Sequence, residues 1–158
     1  MWDGSDFSGT KIALLHGKDT VAYLRDEKPG IPFPGLWDLP GGGRENGESP
    51  VECGLREVEE EFGLLLDPGD VLLIERHHSR AGGLDTYFCA MAIGDDDVAR
   101  IRFGDEGQRW TMMPIRDFVT HARAVPHLQH RLGAFMDSGG LHVTAAPGPD
   151  LNKNTPNT

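Results

Sequence analysis

Apolar positions along the chain follow two rhythms. Lys11-Ile12-Ala13-Leu14-Leu15-His16 and Thr20-Val21-Ala22-Tyr23-Leu24-Arg25 are short apolar runs on either side of Gly17-Lys18-Asp19, and they predict two strands joined by a turn. Asp26 to Leu36 holds Pro29, Pro32 and Pro34 with Gly30 and Gly35, and reads as a loop. It leads through Leu36-Trp37-Asp38-Leu39-Pro40 into Gly41, Gly42 and Gly43, where the backbone can turn sharply or approach a ligand. The rhythm then changes. On a helix over 50–63, Val51, Leu55, Val58 and Phe62 share one stripe, the core face. Ser49 suits the N-cap, Pro50 the first helical position, Glu52 a capping box, and Gly63 the C-terminal cap.

Further on, Val71 to His77 and Leu84 to Ile93 read as strands joined by an Arg80-Ala81-Gly82-Gly83 turn. Gly94 to Asp97 reads as an acidic turn, Ile101 to Phe103 as a short strand and Arg109 to Met113 as another. Pro114 to Phe118 begins a short helix, and Pro126 to Met136 forms a last one. Residues 1–8 are a polar lead-in expected to be flexible. From Asp137 the composition turns to Gly, Pro, Asn and Thr, and 139–158 is expected to be a flexible tail. Residues 9–138 make a single domain of α/β class.

Charge narrows the functions. The 158 residues carry a formal net charge of −10, which argues against a nucleic-acid backbone or an anionic membrane as partner. Two cysteines give neither a disulfide framework nor a zinc site, and Cys53, near the core flank of the helix, reads as a buried free thiol. With no secretory leader pattern and no membrane-length apolar run, the expected location is cytoplasmic.

The acid is not spread evenly. Between Gly42 and Leu64 stand Glu45, Glu48, Glu52, Glu57, Glu59, Glu60 and Glu61 against Arg44 and Arg56. Glu57, Glu60 and Glu61 fall within one arc opposite the apolar stripe, at i,i+3 and i,i+4 spacings where like charges cost roughly 0.2–0.5 kcal/mol per pair. One reading is a solvated acidic face. The other is a site for Mg2+ or Mn2+, hard cations that prefer oxygen ligands.

The segment resembles the box of the Nudix hydrolases, MutT-like pyrophosphohydrolases. Gly42, Glu48, Arg56, Glu57, Val58, Glu60, Glu61, Gly63 and Leu64 fill every specified position of that motif, and Leu39-Pro40-Gly41-Gly42 matches the usual entry. The resemblance implies an α/β/α sandwich with a mixed β-sheet. It implies that Glu57, Glu60 and Glu61 bind Mg2+ or Mn2+ with the backbone carbonyl of Gly41, and that Arg56 holds the glutamates by ion pairing. Glu48 would brace the loop, with Gly42 and Gly63 as structural supports. Glu106, on a later loop, is the candidate for a further metal-binding or water-activating glutamate. The implied reaction is hydrolysis of a nucleoside diphosphate linked to another group, a small-molecule nucleotide. Ser79-Arg80-Ala81-Gly82 stands where subgroups acting on ADP-ribose or dinucleoside polyphosphates tend to carry proline or tyrosine. That favours a nucleoside triphosphate cleaved to monophosphate and pyrophosphate. The alternatives are those other substrates, or a non-catalytic binding or regulatory module on the same fold.

Other residues are weighed against plain roles. Arg25 could face the substrate phosphate or base, and Trp37 or Phe33 could stack a base, against surface and packing roles. His77, His78 and Arg80 could bind metal or phosphate, or simply be solvated. Trp110 and Met113 read as core, and His127 and His130 as an unremarkable pair on the last helix. Monomer and homodimer both remain open.

Overall fold

The computed structural model describes residues 2–79 and 81–140. In chain order the elements begin β1 (Gly9–His16), β2 (Asp19–Leu24), β3 (Trp37–Asp38), β4 (Gly41–Gly43) and α1 (Pro50–Phe62). They continue with β5 (Val71–His77), β6 (Thr86–Ala92), α2 (Asp95–Arg100), β7 (Arg109–Pro114), α3 (Ile115–Thr120) and α4 (Pro126–Phe135). The strands form one mixed seven-stranded sheet. β1 and β6 run parallel in unbroken register from Gly9↔Thr86 to Leu15↔Ala92, and β5 adds antiparallel outside β6. β1 also pairs antiparallel with β4 at its start and with β2 at its end. β2 in turn pairs with β3 and with β7.

β1 shows why helices lie on both faces. Successive strand side chains point to opposite sides. Ile12 and Leu14 join Val58 and Phe62 of α1 in one core cluster. Ala13 and Leu15 join Phe118 of α3 and Leu128 and Leu132 of α4 in the other. Each fully buried leucine or phenylalanine contributes roughly 1.5–3 kcal/mol. This is the α/β fold with a mixed sheet that the resemblance implied.

The caps of α1 are as expected. The Ser49 side chain accepts from the Glu52 N–H at 3.2 Å, and the Glu52 carboxylate accepts from the Ser49 N–H at 2.9 Å. Gly63 takes the left-handed conformation (φ 68°) and donates to the Glu59 carbonyl. Cys53 is buried and free, and burial raises its thiol pKa.

Three expectations change. The acidic turn from Gly94 is the start of a helix, α2, because Asp97 accepts from the Gly94 N–H at 3.0 Å and Asp95 to Asp97 suit the positive end of a helix dipole. Ile101 to Phe103 forms no strand; Phe103 instead packs its ring against Tyr23 and Phe62. The strand drawn from Leu84 begins at Thr86. In the lead-in, Phe7 is only 3% exposed and clusters with Cys53 and Tyr87, with Trp2 packed alongside. The expected tail lies outside the described residues from 141 onward, as does Arg80. No helix among the described residues is long and apolar enough to cross a membrane.

Candidate active site

β4 lies across the middle of α1, so the glycine turn and the helix face each other. Arg56, on α1, joins them. Its guanidinium donates to Glu48 at 2.5 Å, to the Gly43 carbonyl at 2.7 Å, to Glu57 at 3.0 Å and to Glu60 at 3.2 Å. The hydrogen bond from Arg56 holds the Glu48 carboxyl below its usual range, and Glu48 accepts in turn from the Glu45 N–H. Glu48 thus bridges the Glu45 backbone and the Arg56 guanidinium of α1.

The three helix glutamates do not share one solvated face. Glu60 is open to water, with its side chain 57% exposed. Glu57 and Glu61, one turn apart, point under Gly41 and Gly42. A Cβ at Gly42 would sit 2.5 Å from the Glu57 carboxyl carbon. Glu61 is 8% exposed and accepts from the Gly41 N–H at 3.1 Å. Burial raises the pKa of both acids. It pushes Glu61 up to about 8, opposed by Lys11 and the Gly41 N–H and reinforced by Glu57 and Glu106. Glu106 thus lies within electrostatic range of both, although it comes from the loop before β7.

Beside the turn is an ion cluster that sequence reasoning missed. Asp38, 2% exposed, accepts from Arg25 at 2.7 Å, Lys11 at 2.9 Å and the Tyr23 hydroxyl at 3.1 Å, and from the Leu39 N–H at 2.7 Å. Burial works against its charge, but Lys11 and Arg25 outweigh it and hold the carboxyl below its ordinary value. Lys11 also donates to the carbonyls of Leu39 (3.1 Å) and Gly41 (3.3 Å). The only sequence signal was one acid in the apolar run Leu36 to Leu39, and one lysine opening a strand.

Arg25 faces Asp38 and the Pro32 carbonyl, and with Lys28 and Glu106 it lines a cavity of about 160 Å3. Trp37 is 8% exposed and packs in the core beneath the Arg109 guanidinium. His77 pairs with Glu75 at 2.9 Å and His78 with Asp85 at 3.2 Å. His127 lies against the Phe33 ring.

Among the described residues no three carboxylate, imidazole or thiol groups converge into a ready-made metal cage. The donor set nonetheless fits a divalent ion. Glu57 and Glu61 are hard oxygen donors, desolvated beside a glycine turn with no room for a Cβ, and their charged forms need a cation.

Residues 8–131 match the NUDIX domain family. Solved structures of the same fold include a MutT protein from Methanosarcina mazei Go1, at 18% identity and a TM-score of 0.66, covering 88% of this chain and 99% of that one. An Ap4A hydrolase from C. elegans aligns at 16% identity and a TM-score of 0.64, covering 84% and 98%. A bifunctional NMN adenylyltransferase/ADP ribose pyrophosphatase from Francisella tularensis, complexed with AMP and a Mn ion, aligns at 16% identity and a TM-score of 0.66. There the match covers 85% of this chain and 42% of the other. At such identities the likeness is one of fold. The family match spans most of the chain and includes the whole clamp of Arg56, Glu57 and Glu61, and the chain belongs to the Nudix family as a Nudix hydrolase.

Proposed function

We propose that this Nudix hydrolase cleaves the diphosphate of a nucleoside triphosphate, releasing a monophosphate and pyrophosphate, with Mg2+ or Mn2+ as cofactor and the cytoplasm as its location. The observation that carries the reading is the pair Glu57 and Glu61, half-buried and buried against Gly42 and Gly41, with raised pKa values. Glu57, Glu60 and Glu61 would hold the ion with the Gly41 carbonyl. Once bound, a divalent cation neutralises phosphoryl oxygens and lowers the pKa of a coordinated water.

The protein's own groups do the positioning. Arg56 restrains Glu57 and Glu60 and fixes the Gly43 carbonyl, so the turn and the helix keep their spacing. Lys11 fixes the Gly41 carbonyl from the other side. Phosphoryl transfer depends mostly on such positioning and on electrostatic stabilisation. Glu106 would act on the same water or ion, a role supported by its electrostatic influence on Glu57 and Glu61. Arg25 would contact substrate from the small cavity it shares with Glu106. Trp37, being core, would contribute by supporting the neighbouring Asp38. The triphosphate preference rests on Ser79 to Gly82, which lack the residues typical of the other subgroups.

The test is a hydrolysis screen with Mg2+ and Mn2+ against nucleoside triphosphates, oxidised guanine nucleotides, ADP-ribose and dinucleoside polyphosphates. Glu60→Gln and Glu61→Gln serve as controls. Turnover of triphosphates, lost in the controls, is expected. No turnover, or controls equal to wild type, would sink the reading. An unchanged kcat in Glu106→Gln would remove Glu106 from the chemistry.

A further inference from the structure

The molecule is strongly acidic, yet one concave surface beside the glycine turn is not. A hollow of about 270 Å3 over Gly42 and Gly43 is lined by Lys11, His127 and Arg131. It adjoins a cleft of about 980 Å3 that reaches His77, His78 and His130. The two share Ser8, Thr86, His127 and Arg131, so they form one continuous surface. Among the described residues neither is lined by an aspartate or glutamate. The larger cleft falls within the roughly 300–1,000 Å3 typical of small-molecule sites, and the smaller hollow extends it over the glycine turn.

Arg131 is the group without an explanation. It projects from α4 into both hollows and is half-buried, and burial disfavours its charge. The arginines that build the ion clamps all meet carboxylates: Arg25 meets Asp38 and Arg56 meets Glu48. Among the described residues Arg131 has no carboxylate within ion-pair distance. Glu75 is the acid that acts on its charge, and Glu75 is already paired with His77. A desolvated guanidinium beside a lysine and imidazoles, facing open space, is complementary to a phosphate, which it can bind through two parallel N–H donors.

We infer that Arg131, with His127 beside it, forms an anion subsite that takes a phosphate of the bound nucleotide on the α4 side of Gly42–Gly43. The inference deepens the proposed function and rests on its nucleotide reading, but binding at Arg131 needs no turnover. Phe33, 40% exposed, is in ring contact with His127, which lines both hollows.

The test is a calorimetric titration of the full-length protein in EDTA with the common nucleoside monophosphates and with the matching nucleosides. Inorganic phosphate is then added as a competitor. Monophosphates are expected to bind more tightly than nucleosides. Arg131→Gln should weaken only the monophosphates, on the order of 10- to 100-fold, as befits a hydrogen bond to a charged group. Arg131→Lys should fall between, and all variants should keep the wild-type Tm within a few degrees. Competition by inorganic phosphate in wild type would show that the subsite reads phosphate alone; without competition, it reads phosphate only when carried on a nucleoside. Equal affinity for monophosphates and nucleosides, or an unchanged monophosphate affinity in Arg131→Gln, overturns the inference. Glu61→Gln separates the two claims: it should lose turnover and still bind the monophosphate.

Discussion

The Glu61 carboxylate lies 3.1 Å from the backbone nitrogen of Gly41, so the last turn of α1 and the glycine turn are joined by one hydrogen bond. The joint is buried, and under the proposed function it holds an acid where the chemistry would need charge. Glu61→Gln keeps the shape and the acceptor. It should leave Tm within a few degrees of wild type and lower kcat with Mg2+ on the order of 100-fold or more, since metal-assisted stabilisation is worth several kcal/mol. Thermal scans beside steady-state kinetics would check it.

The two glycines above α1 should fail differently. The atoms nearest to an added Cβ at Gly42 all belong to the Glu57 carboxyl, the far end of a side chain rather than backbone. Gly42→Ala should therefore fold and lose activity. A Cβ at Gly41 meets the Thr10 carbonyl and the Lys11 backbone, at φ 137° where side chains are strained. Gly41→Ala should unfold at markedly lower denaturant. A soluble, active Gly41→Ala would contradict this.

Arg56 donates hydrogen bonds to three carboxylates and one carbonyl, and the Glu45 carboxylate lies 3.7 Å away. Arg56→Lys keeps the charge but not the planar fork of donors. We expect a loss of about 1–3 kcal/mol in urea unfolding, toward the lower end because solvent screens the partly exposed Glu60. The turnover number should fall as well.

Asp38 predicts a pH dependence. Its folded pKa lies below the ordinary 3.8, so its charge stabilises the fold above that value, and the contribution fades as pH falls through the folded pKa. Asp38→Asn leaves Lys11 and Arg25 without a counter-charge and should cost about 3–5 kcal/mol at neutral pH. The gap to wild type should narrow below pH 4. A gap that is constant from pH 7 to pH 3 would mean that charge is not the cause.

The box was legible in the sequence because its parts are local: caps, helical spacing and the glycine turn all fall within a few turns of chain. Burial was not legible. Helix periodicity left Glu57 and Glu61 open between a solvated face and a cation site, because it carries no information about β4 packing against them. The α2 start at Gly94 was misread because consecutive aspartates serve turns and helix N-termini equally well. Lys11, Asp38 and Arg131 sit on different elements, and only the folded sheet and α4 bring them beside the same turn.

The parallel pairing of β1 with β6 has a kinetic consequence. Among the described residues β4, which carries Gly41 to Gly43, is paired to β1 alone, and β1, already beside β2 and β4, gains a neighbour on its other edge only when Thr86 to Ala92 arrive. On the ribosome, the first half of the chain emerges with one edge of β1 bare. Such non-local pairings slow folding and leave apolar strands open to association. Substitutions that weaken β6 should therefore reduce soluble yield before they alter the turnover of the protein that does fold.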